Sequence, residues 1–510
     1  MDLRFPSHRT SNRPVASAPR RGHGHPGVAL AIMLGAQLMI ILDATVVNIA
    51  LPHIQTGLHF SLTGLSWVLN GYMLTFGGLL LLGGRAGDIL GRRRMFVVGI
   101  AIFTLSSLAG GLATSSGMLL AARAIQGVGG ALASPAVLAL VISSFPEGRE
   151  RTRALAIYTG VVTGGSSLGL VLGGVITEWL SWRWVLFINV PIGVVVLAIT
   201  PLFVTETPRQ PGRFDLAGAV TSTVGIGALV YGFIRAASNG WGDRTGLVSF
   251  AVAVVLIAAF LVNESRVRQP ITPLRLFADV GRSGSYVARL LLVAGMMGMF
   301  YFLTQFVQEI LGFSPLRTGV AFLPMTIALF AVSRLAPRLM PLFGPRRLMI
   351  AGMIPVIAGM AWLWQVAPGT TYWDGVFGPM LLFGVGMGIV FVPLTSASLA
   401  GVRPEDSGAA SGMVNVVQQV GGSLGLSVLV AVFGTAYGSG VAHHAAGLSA
   451  VAVRQHALVH GMSSAYGLAA IFDVVALILI MALIRMPAPR PAEVAVVTAA
   501  RDLHEADSAL

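Results

Sequence analysis

Long apolar runs alternate with short polar turns from residue 27 to residue 485. A helix needs about 20 apolar residues to cross the hydrocarbon core of a bilayer. Runs of about that length or longer lie at 27–50, 64–83, 95–113, 117–141, 154–176, 184–204, 214–236, 245–263, 284–308, 317–336, 347–366, 375–399, 407–436 and 461–485. The pattern predicts fourteen spans and an all-α, polytopic membrane fold. Residues 1–26 are polar, Arg-rich and Pro-containing, and read as a disordered tail. The first run is long enough to span and no small-residue cleavage site follows it, so it does not read as a signal peptide.

The turns orient the helices. With the N-terminus inside, the cytoplasmic segments hold 26 Arg and the outer ones only Arg183, Arg235, Arg244, Arg317 and Arg454. Arg123 and Arg289 are left deep within spans. Alternate loops obey this asymmetry without reversal, which predicts an even span number and both termini in the cytoplasm of a cell-membrane protein.

Composition narrows the class. The chain is 55% hydrophobic and only 10% charged, against roughly 25% charged in a soluble domain, so 510 residues of soluble domains are excluded. The absence of cysteine excludes disulfide scaffolds, Cys-ligated zinc, iron–sulfur clusters and a Cys nucleophile. Every basic residue behind the net charge of +13 is Arg, and nearly all of these lie in the tails and in short loops between spans. This placement serves topology, and no nucleic-acid partner is expected.

The two halves repeat. Residues 91–99 read GRRRMFVVG and residues 344–352 read GPRRLMIAG, each on a turn entering a span. Further on, Pro146-Glu147 precedes TGGSSLGL (163–170) and Pro404-Glu405 precedes VGGSLGL (420–426), with 18 and 17 residues from Pro to the first Gly of the pair. A duplicated six-helix bundle follows, in parallel repeat. The predicted organisation is a tail (1–26), an N-terminal bundle (27–205), an inserted two-helix hairpin with its linker (206–282), a C-terminal bundle (283–486) and a second tail (487–510).

Asp43 and Arg123 are the first candidates for chemistry. Asp43 lies in span 1, in ILDATVVNIALPHI, and Arg123 in span 4, in LLAARAIQGVGGA. Each is six or seven residues from the outer end of its span, roughly 10 Å deep at 1.5 Å per residue. Equal depth allows a direct or water-mediated pair. Burial disfavours the charged carboxylate and a neighbouring Arg favours it, so small movements could switch its protonation. A purely structural pair holding helices together is the competing reading.

The turn GRAGDILGRRR (84–94) offers Gly84 and Gly87 for close helix approach and Gly91 for the tight bend. Asp88 and Arg92 could bond across to another helix end, as a charged latch. Span 5 carries Gly160, Gly164, Gly165, Gly169, Gly173 and Gly174, a packing surface suited to sliding.

Together these residues resemble the major facilitator superfamily, and within it the fourteen-span drug:proton antiporters. LDATVVNIALP is similar to the group's span-1 signature, GRAGDILGRRR to the superfamily's loop motif (Gly84, Asp88, Gly91, Arg92 and Arg93), and LAARAIQGVGGA to the span-4 motif (Arg123, Gln126 and Gly127). SWRWVLFINVPIG (181–193), FVQEILGFSPLRTGVAFLP (306–324) and GAASGMVNVVQQVGGSLG (408–425) extend the likeness. The resemblance implies the major facilitator fold: two six-helix bundles plus two extra central helices. It also implies alternating access, export of a lipophilic small molecule against inward-moving protons, and function as a monomer. Asp43 is then the proton site, Arg123 its coupling partner, and Asp88 with Arg92 and Arg93 the cytoplasmic latch. One departure stands out: Leu170 follows Gly169 where the group's span-5 motif has Pro, although Gly173 and Gly174 remain.

Substrate contacts are less legible. No acid lies in spans 10 or 13, and span 13 offers only Asn415, Gln418 and Gln419. That favours neutral or weakly charged lipophiles, or monocations, over dications. Gln126, Gln305, Gln308 and Glu309 are further cavity candidates. Asp473 falls midway along span 14, which the architecture sets at the bundle periphery. The run Met296, Met297, Met299, Phe300, Tyr301 and Phe302 offers either an adaptable apolar wall or ordinary packing. His443, His444, His456 and His460 lie in an apparent outer loop near 436–460, with no acid or Cys to complete a metal site. Without a nucleotide loop, a nucleophile elbow or a ligand set, neither an enzyme nor a cofactor is expected. Uptake or facilitated diffusion on the same fold is the alternative to export.

Overall fold

The computed structural model describes residues 26–403, 406–444 and 449–484. Nearly all of both predicted tails, and the Pro404-Glu405 pair of the repeat, lie outside them. Fourteen helices are long and apolar enough to span: α1 (Pro26–Leu58), α2 (Gly64–Leu90), α3 (Arg92–Gly111), α4 (Ser116–Ser144), α5 (Arg149–Trp179), α6 (Trp184–Phe203), α7 (Leu216–Asn239), α8 (Arg244–Arg266), α9 (Val280–Ile310), α10 (Pro315–Ser333), α11 (Pro345–Leu363), α12 (Trp373–Leu399), α13 (Ser407–His444) and α14 (Ala450–Leu483). Among the described residues there is no strand. With no water in hydrocarbon, backbone polar groups must bond within each helix.

Most helices are longer than the apolar runs that announced them, because polar residues prolong their ends. The largest difference concerns the histidines. α13 runs to His444 and α14 starts at Ala450, so the predicted loop at 436–460 shrinks to a few residues, and His456 and His460 are helical. The His443 and His444 side chains lie outside the description. Short polar side chains start several helices by accepting the exposed backbone N–H of the first turn. Asp215 caps Gly218 at 2.8 Å, Asp243 caps Gly246 at 2.8 Å and Asp279 caps Arg282 at 2.7 Å.

The internal repeat is visible in the packing. α1 packs on α5 as α9 packs on α13; α2 and α3 pack on α4 as α10 and α11 pack on α12. The two repeated turn glycines, Gly91 (φ +114°) and Gly344 (φ +78°), both take backbone conformations that favour glycine, each directly before the third helix of its half. The repeated Gly motifs do the same work. Gly165 and Gly169 face Leu38, Ile41 and Thr45 of α1, while Gly421 and Gly425 face Leu290 and Ala294 of α9. α7 of the inserted hairpin packs against α2 and α13, one from each half.

Several glycine expectations shift by a position. Gly84 makes only ordinary contact with Pro135, whereas a Cβ at Gly83 would strike the Ala131 carbonyl of α4. In α5, a Cβ on Gly160 or Gly164 would meet nothing within 4 Å, so those two are not packing positions here. Gly173 lies against the Val46 backbone and Gly174 against Pro315 and Leu316 of the other half. Glycines that all look alike in sequence differ in which face of the helix meets a neighbour.

Among the described residues, hydrogen bonds between the halves gather toward the Arg-poor end, while Leu81 of α2 packs on Gly412 of α13 nearer the Arg-rich end. Gln308 Nε2 donates to the Ile49 carbonyl at 2.9 Å, Tyr301 Oη to the Leu62 carbonyl at 3.3 Å, and the Leu316 N–H to Glu178 at 2.9 Å. Asn70 of α2 bonds Ser423 and Ser427 of α13 at 3.1 and 3.0 Å.

Gly83→Val overpacks the α2–α4 contact against a backbone atom that cannot yield. A loss of about 1–3 kcal/mol is expected, read as a lower melting temperature of the purified protein, while Gly160→Val leaves it unchanged.

Candidate functional site

Five helices of the first half converge on one buried carboxylate. Asp43 of α1 and Arg123 of α4 are each 1% exposed, and Arg123 Nη1 donates to Asp43 Oδ2 at 2.5 Å. The other carboxylate oxygen, Oδ1, accepts from Gln126 Nε2 at 2.7 Å and from Asn189 Nδ2 of α6 at 2.9 Å. Ser107 of α3 sits behind, its Oγ accepting from Gln126 at 2.7 Å and Asn189 at 3.3 Å. Arg123 is itself held: Nε donates to the Val68 carbonyl of α2 at 3.1 Å, Nη1 also to Gln126 Oε1 at 2.7 Å, and the guanidinium lies 4.5 Å from the centroid of the Tyr72 ring.

The sequence explains why these groups can meet. Gly127 lets α4 approach α2, since a Cβ there would lie 2.5 Å from the Tyr72 carbonyl. Thr75 Oγ1 then donates to the Ala124 carbonyl at 2.8 Å, locking the two helices beside the site. Arg123 and Gln126 are three residues apart and so share one face of α4.

The cluster keeps unused capacity. Arg123 Nη2, Asn189 Oδ1 and the Tyr72 hydroxyl have no hydrogen-bond partner. Charged groups at this depth are strongly destabilised alone and are held by charge-assisted hydrogen bonds to each other. The arrangement sets one carboxylate against one cation, with unspent donors on Arg123 and Tyr72 beside them.

Gln126 is corrected from cavity wall to cluster member. It is 1% exposed and its amide is spent on Asp43 and Ser107. Asn189, Ser107 and Tyr72 were missed. Asn189 was signalled by its place as a lone amide within the apolar run VLFINVPIG; Ser107 and Tyr72 carry no comparable signal.

The turn at 84–94 closes locally. Asp88 Oδ1 accepts from Arg92 Nη2 at 3.0 Å and Nε at 3.2 Å, within one helical turn of the chain. Arg93 Nη1 donates to the Val204 carbonyl at 3.1 Å. Glu206, unmarked by the sequence reading, accepts the first N–H groups of α3 from Arg93 and Arg94 at 3.0 and 3.2 Å. Gly91 suits the turn because its φ of +114° would strain any residue with a Cβ. The latch residues thus tie the α2–α3 turn to the segment after α6, rather than to the second half.

The remaining candidates scatter. Gln305 is 1% exposed and bonds the Tyr301 carbonyl of its own helix, so it lines no opening here. Gln308 joins α9 to α1, and Glu309 pairs with Arg454 at 3.4 Å near the Arg-poor end. Asn415 is exposed, and Gln418 and Gln419 are half-buried, with Gln419 against Gly77 of α2. Asp473 does not face the periphery. It is fully buried against Gly295 of α9, and neither carboxylate oxygen has a partner. Among the described residues no group of three His, Asp or Glu could hold a metal ion.

The duplicated six-helix bundle, with a buried Asp–Arg pair in its first half, is the fold of a family of membrane transporters. The chain belongs to the Major Facilitator Superfamily, whose sequence profile matches residues 33–426. It is 42% identical over 428 residues to the puromycin resistance protein pur8 of Streptomyces alboniger, covering 82% of this chain and 84% of that one. It is 41% identical over 412 residues to the cephamycin export protein CmcT of Amycolatopsis lactamdurans, covering 80% and 85%. Among solved structures, a bacterial homologue of the human lysosomal transporter Spinster shares the fold, with a TM-score of 0.61 at 16% identity over 91% of this chain and 99% of that one.

Arg123→Ala strands a buried carboxylate. A loss of about 3–5 kcal/mol is expected. In a double-mutant cycle with Asp43→Asn, monitored by thermal unfolding in detergent, the pair should couple by about 0.5–3 kcal/mol. Additive effects would show that the contact contributes nothing.

Proposed function

We propose that this chain is a proton-coupled antiporter that exports small lipophilic compounds across the cell membrane by alternating access, working as a monomer with both termini in the cytoplasm. The observation that carries the reading is the Asp43–Arg123 pair: buried, direct, and set within five helices of one half. Asp43 takes up a proton when helix movement parts it from Arg123, and gives it up when the pair re-forms. Gln126 and Asn189 hold the carboxylate in place through the cycle as positioning residues.

The cross-half contacts at the Arg-poor end support alternating access. They close that end through Gln308, Tyr301, Glu178 and the backbone packing of Gly174 on Pro315. With the Arg-rich loops inside, this state is closed to the exterior. Opening it requires those few bonds to break and the Arg-rich end to close, where Asp88 and Arg92 are half-exposed and able to re-partner. Export of antibiotics is supported by the resistance and export roles named for the two relatives. The tails and the hairpin serve as cytoplasmic extensions and as a brace between the bundles.

The test uses acidified, inside-out membrane vesicles and a panel including puromycin and a cephamycin. Adding a transported compound should draw protons out of the lumen, and Asp43→Asn should abolish this at least tenfold. Accumulation that ignores the pH gradient and survives Asp43→Asn would establish facilitated diffusion instead.

A further inference from the structure

The second half buries a cation that proton coupling at Asp43 does not use. Arg289 lies on α9, nine residues from its Arg-rich end, or about 13 Å along the axis. It is 1% exposed. Nη2 donates to Thr395 Oγ1 of α12 at 2.6 Å, and the guanidinium sits 5.1 Å from the centroid of the Phe391 ring. Nε has no hydrogen-bond partner. Among the described residues no carboxylate forms an ion pair with it.

The surroundings compound the imbalance. Tyr286, one turn earlier on the same face of α9, is 2% exposed and its hydroxyl also lacks a partner. Thr395 already donates its own proton to the Phe391 carbonyl at 2.8 Å. The cluster therefore holds a positive charge and two unspent donors, and no anionic acceptor. Arg123 in the first half is equally buried but meets Asp43. An unpaired charge at this depth is strongly disfavoured, and such residues mark ligand sites by default.

The cluster borders an apolar face. Met296 and Phe300 follow Arg289 at i+7 and i+11 on α9, and both are half-buried, as are Phe391 and Thr395. A molecule lying along that face would meet a soft apolar wall with a cation at one end.

We propose that Arg289, with Tyr286 and Thr395, is a recognition site for the acidic group of an otherwise apolar molecule: a carboxylate, sulfonate or phosphate attached to a lipophilic body. Resting on the export reading, this narrows the substrate class to lipophilic acids, where the sequence favoured neutral molecules or monocations. The ligand supplies the counter-charge that the chain withholds, and Tyr286 adds a neutral O–H donor to the anion.

The test is equilibrium binding to the purified full-length protein in neutral detergent, with pyrenebutyric acid and its methyl ester as matched probes. The wild type should bind the acid at least tenfold more tightly than the ester. Arg289→Met should erase that preference while binding the ester unchanged, Arg289→Lys should keep part of it, and Tyr286→Phe should weaken the acid severalfold. Because the methionine removes an unpaired buried charge, its melting temperature should equal or exceed that of the wild type. Competition by phosphatidylglycerol, lost in Arg289→Met, would show that a lipid phosphate can use the same site. Equal binding of acid and ester by the wild type would overturn the proposal, as would an unchanged preference in Arg289→Met. If the methionine variant fails to fold, Tyr286→Phe and Thr395→Val carry the same comparison. No proton gradient is involved, so failure here is distinguishable from failure of antiport.

Discussion

A charge carried into hydrocarbon must meet its counter-charge there. That single constraint organises the first half of this protein. Asp43 and Arg123 come from different helices, and each would be strongly destabilised alone. Bringing them to 2.5 Å requires α1, α2 and α4 to pack within a narrow tolerance. Gly127 and Thr75 provide the α2–α4 approach, and Asn189 and Ser107 draw α6 and α3 into the same network. The ion pair is therefore also the point at which five helices of this half are tied together.

The same constraint gives the pair its capacity for change. A fully satisfied network would be inert. This one leaves Arg123 Nη2, Asn189 Oδ1 and the Tyr72 hydroxyl unspent within a few ångströms of the carboxylate. Buried polar networks that are only partly satisfied are sensitive to displacement. The helices that hold Asp43 also touch the other half: α1 through Ile49 and Gln308, α2 through Asn70 and Ser427. The bundle interface and the carboxylate are thereby joined through the same helices rather than through loops.

The two halves share a fold but not an electrostatic solution. Their helix pairs and turn glycines correspond, from Gly91 and Gly344 to the Gly motifs of α5 and α13. Yet the first half balances its buried Arg internally, and the second does not. The two Arg do not occupy matching places in the repeat: Arg123 lies on the fourth helix of its half and Arg289 on the first helix of the other. Asp473, buried beside Gly295 with neither oxygen bonded, is a second such asymmetry.

Much of this was legible in the residues themselves. Fourteen spans follow from apolar length, because a bilayer imposes one dimension on every crossing helix. The duplication follows from paired motifs, and Asp43 and Arg123 stand out because ionisable groups within spans are rare. Partners across helices were not legible. Which glycine meets a neighbour depends on helix rotation, so Gly83 and Gly165 make the close approaches while Gly84 and Gly160 do not. Gln126 looked like a cavity residue until its amide was seen on Asp43, and Asn189, Ser107 and Glu206 gained roles only through contacts distant in the chain. Hydrophobic length is a local property that one chain segment carries alone. Charge balance is a property of several helices at once, and only their packing decides it.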